Sequence, residues 1–262
     1  FVIFATDMQT IQLYNLSIGY GKHAVVSDIN ATLNSGRLTC LLGRNGVGKS
    51  TLLRTLAGFI PPIAGEIYIQ GTPLERLSHH ELAEKISVVL TERMDIRNLT
   101  ATELVGLGRT PYTGFWGVLS DEDHKIVSKA MQLVGIEQLA ERNISSLSDG
   151  ERQKVMIAKA LAQQTPIIIL DEPTAFLDFQ SKVDTLRLLA QLAHELDKTV
   201  FLSIHDIELA LQIIDEIWLL DDQRKLHTGT TKQLIEDGTL HHFIESEHIR
   251  FDADDRVVRL QK

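Results

Sequence analysis

Apolar and polar positions along this chain alternate between two rhythms. Short, mostly apolar runs at 37–42, 86–90, 167–170, 199–204 and 216–220 suit strands of a parallel sheet covered on both faces. Between and around them, 51–58 (stopped by Gly58), 181–196 and 207–213 read as helices. Three further segments, 11–16, 27–33 and 66–69, have a partly alternating pattern and predict an antiparallel sheet beside the first helix. From 100 to 164 the reading is helical. Ser78-x-x-Glu81, Thr100-x-x-Glu103 and Ser120-x-x-Asp123 are capping boxes that mark helix starts. In 225–262 no chemistry is visible; 249–251 and 257–260, around Ala253-Asp254-Asp255, suggest a small hairpin. The alternation predicts an α/β fold.

Where the 37–42 strand meets the first helix, the chain reads Gly43-Arg44-Asn45-Gly46-Val47-Gly48-Lys49-Ser50-Thr51. This fits G-x-x-x-x-G-K-[ST] in full, in the strand–loop–helix setting the motif requires. The glycines let backbone N–H groups turn inward around phosphate oxygens, and the helix N-terminus adds its positive end. Lys49 would reach the terminal phosphates, and Ser50 would place its hydroxyl on Mg²⁺. The expectation is nucleoside triphosphate binding.

About a hundred residues on, 147–173 reads LSDGERQKVMIAKALAQQTPIIILDEP. Ser148-x-x-Glu151 is a capping box, so an ordinary helix start accounts for it when taken alone. The strand at 167–170 ends in Asp171-Glu172. With the phosphate loop present, Asp171 is placed to hold Mg²⁺ through water. Glu172 is placed to orient and deprotonate an attacking water.

Composition narrows the setting. At 262 residues and 44% hydrophobic, the chain can bury a sizeable core. The formal net charge of −9, with no long basic run, argues against nucleic acid as the main partner. No apolar segment approaches the roughly 18–20 residues needed to span a bilayer. Residues 1–8 lack the length and basic start of a signal peptide. The single cysteine, Cys40, reads as a small core residue, and no disulfide can form within the chain, which fits a reducing cytoplasm. The pairs His79-His80 and His241-His242 lie in polar segments without ligand spacing and read as surface.

These motifs, in this order and spacing, resemble the ATP-binding subunit of an ABC transporter over nearly the whole chain. LSDGE corresponds to the family's LSGGQ signature, with Asp149 and Glu151 departing from it; ILDEP matches the second phosphate-site motif. Phe176-Leu177-Asp178 matches the loop that follows, His205 in LSIHD the switch histidine, and Tyr20 the aromatic that stacks on adenine. The resemblance implies a P-loop NTPase core with an antiparallel β subdomain and an α-helical subdomain at about 100–164. One nucleotide-binding domain would span 1–262, with a C-terminal extension from about 225. It also implies a head-to-tail pair of two copies, in which Ser148 and Gly150 of one contact the γ-phosphate held by Lys49 of the other. Asp149 would repel ATP if it pointed inward; an outward, capping orientation is expected. His205 can donate to the γ-phosphate and orient the water.

One departure concerns the metal. The family's Mg²⁺-contacting glutamine is replaced by Thr91-Glu92-Arg93. Thr91 or Glu92 is a ligand, or Ser50 and the phosphates hold Mg²⁺ alone; both readings stand.

The segment 99–117, LTATELVGLGRTPYTGFWG, resembles ATPases of importers for iron–siderophore complexes, haem and cobalamin, as does HTGTTKQLIEDGTL near the C-terminus. That implies permease subunits, a separate substrate-binding protein, and a peripheral place on the cytoplasmic face of the inner membrane. Pro111, Tyr112, Phe115 and Trp116 either form a docking surface for the permease or pack within the helical block. A non-transport ATPase of this family acting on nucleic acid or ribosomes is the alternative; the coiled-coil insertion or second cassette usual there is missing. A GTPase would need NKxD, which the chain lacks.

Overall fold

The computed structural model describes residues 8–90, 98–114 and 116–260. Two long strands open it, β1 (Gln9–Tyr20) and β2 (His23–Asn34), followed by β3 (Leu38–Gly43) and, across the phosphate loop, α1 (Lys49–Leu56). Next come β4 (Ala64–Ile69), the two-residue β5 (Thr72–Pro73), α2 (His79–Lys85) and β6 (Ile86–Val89). The helical block comprises α3 (Ala101–Gly106), α4 (Asp121–Val134) and α5 (Asp149–Ala162). Then β7 (Ile167–Leu170), α6 (Phe179–Leu196), β8 (Thr199–Ser203), α7 (Ile207–Ile213) and β9 (Glu216–Leu220) restore the strand–helix alternation. The C-terminal stretch holds β10 (Leu226–Gly229), α8 (Thr231–Glu236), α9 (Thr239–Ile244) and the hairpin β11 (Ile249–Asp252)–β12 (Val257–Leu260).

The strands form an antiparallel sheet in the order β2-β1-β4-β5 and a six-stranded sheet in the order β10-β9-β3-β8-β7-β6. The second is parallel from β9 to β6, with β10 antiparallel at its edge. Its strands read as mostly apolar runs because they are buried on both faces. Cys40, Ile168, Leu170, Val200 and Leu202 enter a core shared with the helical block. Their neighbours Leu41, Ile167, Ile169, Phe201 and Trp218 enter a second core on the opposite face. There the apolar face of the antiparallel sheet closes over Leu52, Leu53 and Leu56 of α1. Period-two alternation thus serves two cores, and a polar residue has no wet face to occupy. Burial within this sheet raises the Cys40 thiol pKa well above its usual range.

Capping boxes form at Ser78, Thr100, Ser120 and Ser148 as their spacing predicts, and one more forms at Thr230. Polar groups hold the helical block together, through Arg109, and fasten it to β6, through Gln163. Arg109, only 5% exposed, donates to Asp123 (2.8 Å), to the Ala162 carbonyl and to the Gln164 side chain (both 2.9 Å). Gln163 donates to the carbonyls of Ala83 and Ile86.

The expected strand ends moved outward in β1 and β2, since cross-strand pairing continues past each apolar run. The C-terminal stretch holds more than the expected hairpin. Thr230-x-x-Gln233 caps α8, and α9 places Leu240 and Ile244 in the main core. The hairpin itself docks on α7: Val258 N–H donates to Glu208 (2.8 Å) and Arg256 to the Leu211 carbonyl (3.0 Å). Among the described residues no helix is long and apolar enough to cross a membrane.

Candidate active site

All the candidate chemistry of the parallel sheet lies at the carboxyl ends of its strands, where open α/β sheets bind ligands. β3 runs straight into the phosphate loop. Gly43, Gly46 and Gly48 have φ of +155°, +78° and +123°, which side-chain-bearing residues seldom adopt. A Cβ on Gly43 would also lie 2.8 Å from Val47 and 2.9 Å from the Leu220 carbonyl, so both conformation and space exclude one there. Lys49, 6% exposed, bends back over the loop and donates to the carbonyls of Gly43 (2.7 Å) and Arg44 (3.2 Å). Burial lowers its pKa, opposed by the fields of Glu172 and Asp171. An ammonium stripped of water and held by two carbonyls is poised for a stronger anion. The Arg44 side chain turns away, pairing with exposed Asp222 at 2.9 Å.

At the end of β7 the two carboxylates diverge. Asp171, buried, accepts from Ser203 Oγ at 2.8 Å and Ser50 Oγ at 3.3 Å. Glu172 adopts a left-handed backbone (φ +49°), and its carboxylate meets His205 Nε2. The phosphate-loop serine and the first carboxylate thus touch, and the second carboxylate and the histidine touch. Hydroxyl and carboxylate oxygens are the hard donors Mg²⁺ prefers, so Ser50 and Asp171 fit that ion. Glu172, His205, Lys49, Ser50, Thr51, Asn45, Gly46 and Gly48 line one cleft with Tyr20 and Val25. Tyr20 is 55% exposed at its mouth, its hydroxyl 3.5 Å from Thr51 Oγ1. An exposed ring beside a phosphate loop offers a face for a nucleobase.

Ser148, Gly150 and Asp178 stand outside that cleft. Ser148 caps α5: its Oγ accepts the Glu151 N–H at 3.2 Å, while Glu151 accepts the Ser148 N–H at 2.9 Å. Those bonds lower the Glu151 pKa. Ser148 and Asp149 are exposed. A Cβ on Gly150 would lie 3.2 Å from Ser181 Oγ, and Ser181 in turn bonds Asp178, the cap of α6. The signature turn and the Asp178 loop therefore form a second polar surface. Beside it Phe176 and Phe179 are each 69% exposed.

Thr91, Glu92 and Phe115 lie outside the described residues. Of the aromatic segment, Tyr112 bonds the Gln163 carbonyl and lies under the Arg109 guanidinium, whereas Trp116 is 85% exposed. Packing accounts for the first and docking is open to the second. His79, His80 and His242 are exposed, and among the described residues no group of three or more His, Cys, Asp or Glu is arranged to hold a metal. Ser203 and Val25 carried no signal in the sequence: a serine inside an apolar strand and a valine in an edge strand have no spacing that marks them.

Residues 26–175 match the protein-family model described as ABC transporter. An ABC transporter ATP-binding protein of Methanocaldococcus jannaschii is 44% identical over 82% of this chain and 74% of its own length. The iron(3+)-hydroxamate import ATP-binding protein of Bacillus subtilis is 35% identical over 87% of this chain and 85% of its own. Among solved structures, a dimeric bacterial ABC transporter cassette superposes with a TM-score of 0.72 at 30% identity, covering 84% of this chain and 98% of that one.

Proposed function

The chain belongs to the ABC transporter family, and from that premise we propose that it energises uptake of a ferric siderophore, haem or cobalamin through a membrane permease. Its activity is ATP hydrolysis. The observation that carries the assignment is the cleft itself: a complete phosphate loop facing a carboxylate and a histidine that are bonded to each other. The iron-hydroxamate relative and the 99–117 segment favour a ferric chelate as cargo.

In this reading the N–H groups of residues 43–51 surround the phosphates, and Lys49 exchanges its two carbonyl partners for phosphate oxygens. Tyr20 stacks on the adenine. Ser50 and Asp171 would hold Mg²⁺, which offsets charge on the phosphate oxygens when bound. Glu172 orients the attacking water and takes its proton; His205 steadies that carboxylate and donates toward the γ-phosphate. Two copies pair head to tail, so the Ser148 turn and Asp178 of one complete the pocket of the other. Trp116 sits on the surface offered to the permease at the cytoplasmic face of the inner membrane, where a separate substrate-binding protein delivers the cargo from the other side.

Reconstitution tests the assignment. Co-expressed with its permease and binding protein in cells lacking hydroxamate uptake, the native chain should restore accumulation of radiolabelled ferric hydroxamate, and Glu172→Gln should not. Restored haem or cobalamin uptake in its place would reassign the cargo. Restoration of none, with ATPase stimulated by nucleic acid or ribosomes, would favour the non-transport reading.

A further inference from the structure

Ser203 closes β8 two residues before His205. The parallel register pairs Leu170 with Leu202, which sets Ser203 beside Asp171 at the point where β7 ends. Ser203 is fully buried, and its single hydroxyl serves two neighbours. The Glu172 backbone N–H reaches Ser203 Oγ at 2.9 Å, and Ser203 Oγ lies 2.8 Å from Asp171 Oδ1. A backbone nitrogen can only donate, so the oxygen accepts there and its one proton is committed to Asp171. The direction of both bonds follows from this alone.

The geometry explains why such a group is needed. Glu172 has φ +49°, a conformation unfavourable for any residue with a side chain. It nevertheless turns adjacent carboxylates to different tasks, Asp171 toward Ser50 and Glu172 toward His205. We propose that Ser203 is a positioning residue for ATP hydrolysis. Its hydroxyl clamps the Asp171–Glu172 peptide, holding the first carboxylate on the Ser50 side of the cleft and the second on the water side. This rests on the reading of the cleft as the hydrolytic site.

Three variants test it: Ser203→Ala, and the pair Ser203→Thr and Ser203→Val, which share nearly the same volume and differ in the hydroxyl. In protein free of nucleotide, amide hydrogen exchange at Glu172 should accelerate by about tenfold in the alanine and valine variants, as a lost hydrogen bond predicts. Turnover should fall about tenfold to a hundredfold in both, a consequence of misplaced reacting groups. Affinity for a fluorescent ATP analogue should stay within about threefold, since the phosphate contacts of residues 43–51 remain. The threonine variant should exceed the valine variant in turnover and protect Glu172 better. Equal behaviour of threonine and valine overturns the clamp, as does unchanged exchange at Glu172 in the alanine variant. Loss of ATP affinity in step with turnover also overturns it, because that reports collapse of the cleft. If the native chain hydrolysed no ATP, the reading of the cleft would fail, and exchange at Glu172 would still decide the clamp.

Discussion

The turns into α1 and α5 each place glycine at a helix N-terminus, and they are built to different degrees of completion. The turn into α1 is finished within the chain: its lysine is buried, its carbonyl partners are in place, and carboxylates, a histidine and an aromatic ring stand around it. The turn into α5 is exposed, and its Ser148 and Glu151 are bonded to each other, with Glu151 also paired to Arg142. Backbone donors and a helix dipole attract an anion in both cases. What separates them is what surrounds the donors. A helix N-terminus becomes half of a catalytic site only when another surface brings the anion to it, and for α5 that surface is proposed to be a second copy.

The largest effect that bears on this contrast is expected from Glu172→Gln, which leaves the phosphate contacts of the finished turn intact. Turnover should fall by about 10²–10⁴, the range for losing a general base, while ATP still binds. ATP-dependent dimer should then accumulate on a sizing column. Normal turnover in this variant would remove Glu172 from its role. Ser148→Arg attacks the unfinished turn: ATP binding by the isolated chain should change little, yet turnover should drop about a hundredfold as the second copy is kept away. If the arginine variant hydrolyses ATP at the native rate, the two turns do not cooperate. Lys49→Ala should show the complementary pattern, weakening ATP affinity about tenfold to a hundredfold through loss of a charge-assisted contact, as measured by calorimetry.

The smallest effect concerns the helical block that carries α5. Asp123 accepts from Ser120 and from Arg109, and these bonds hold its carboxyl at about 2. Its pKa in the unfolded chain is about 3.9. The folded value is the lower one, so its stabilisation is fully present above about pH 4 and is lost as pH falls toward 2. Ser120→Ala should flatten the fall of melting temperature between pH 5 and pH 2. An unchanged slope would mean other carboxylates dominate acid unfolding.

Much of this was legible because local rules were obeyed. The loop from Gly43 to Thr51 announces its own glycines, and the apolar run before Asp171 announces a strand with both faces covered. Other features escaped because no short-range pattern encodes them. Ser203 looks like any polar residue near a strand end until the β7–β8 register sets it beside Asp171. The helices α8 and α9 leave little trace because six-residue helices carry little periodicity, although Thr230-x-x-Gln233 is a readable start. Trp116 and Tyr112 read alike in the sequence, and only the Gln163 carbonyl and the Arg109 guanidinium separate them.

The order of residues alone determined that a glycine-rich phosphate-loop motif joins β3 to α1 with glycines where φ is positive, because backbone conformation near such a turn is a local property. It also determined which strands are buried, since a strand between two cores has no place for an alternating polar position. Pairings between residues far apart in the chain were decided by tertiary structure: Ser50 with Asp171, Glu172 with His205, Ser203 with both the Asp171 carboxylate and the Glu172 backbone. Those depend on sheet order and register, which arise from packing whole elements against one another and leave no mark at any single position.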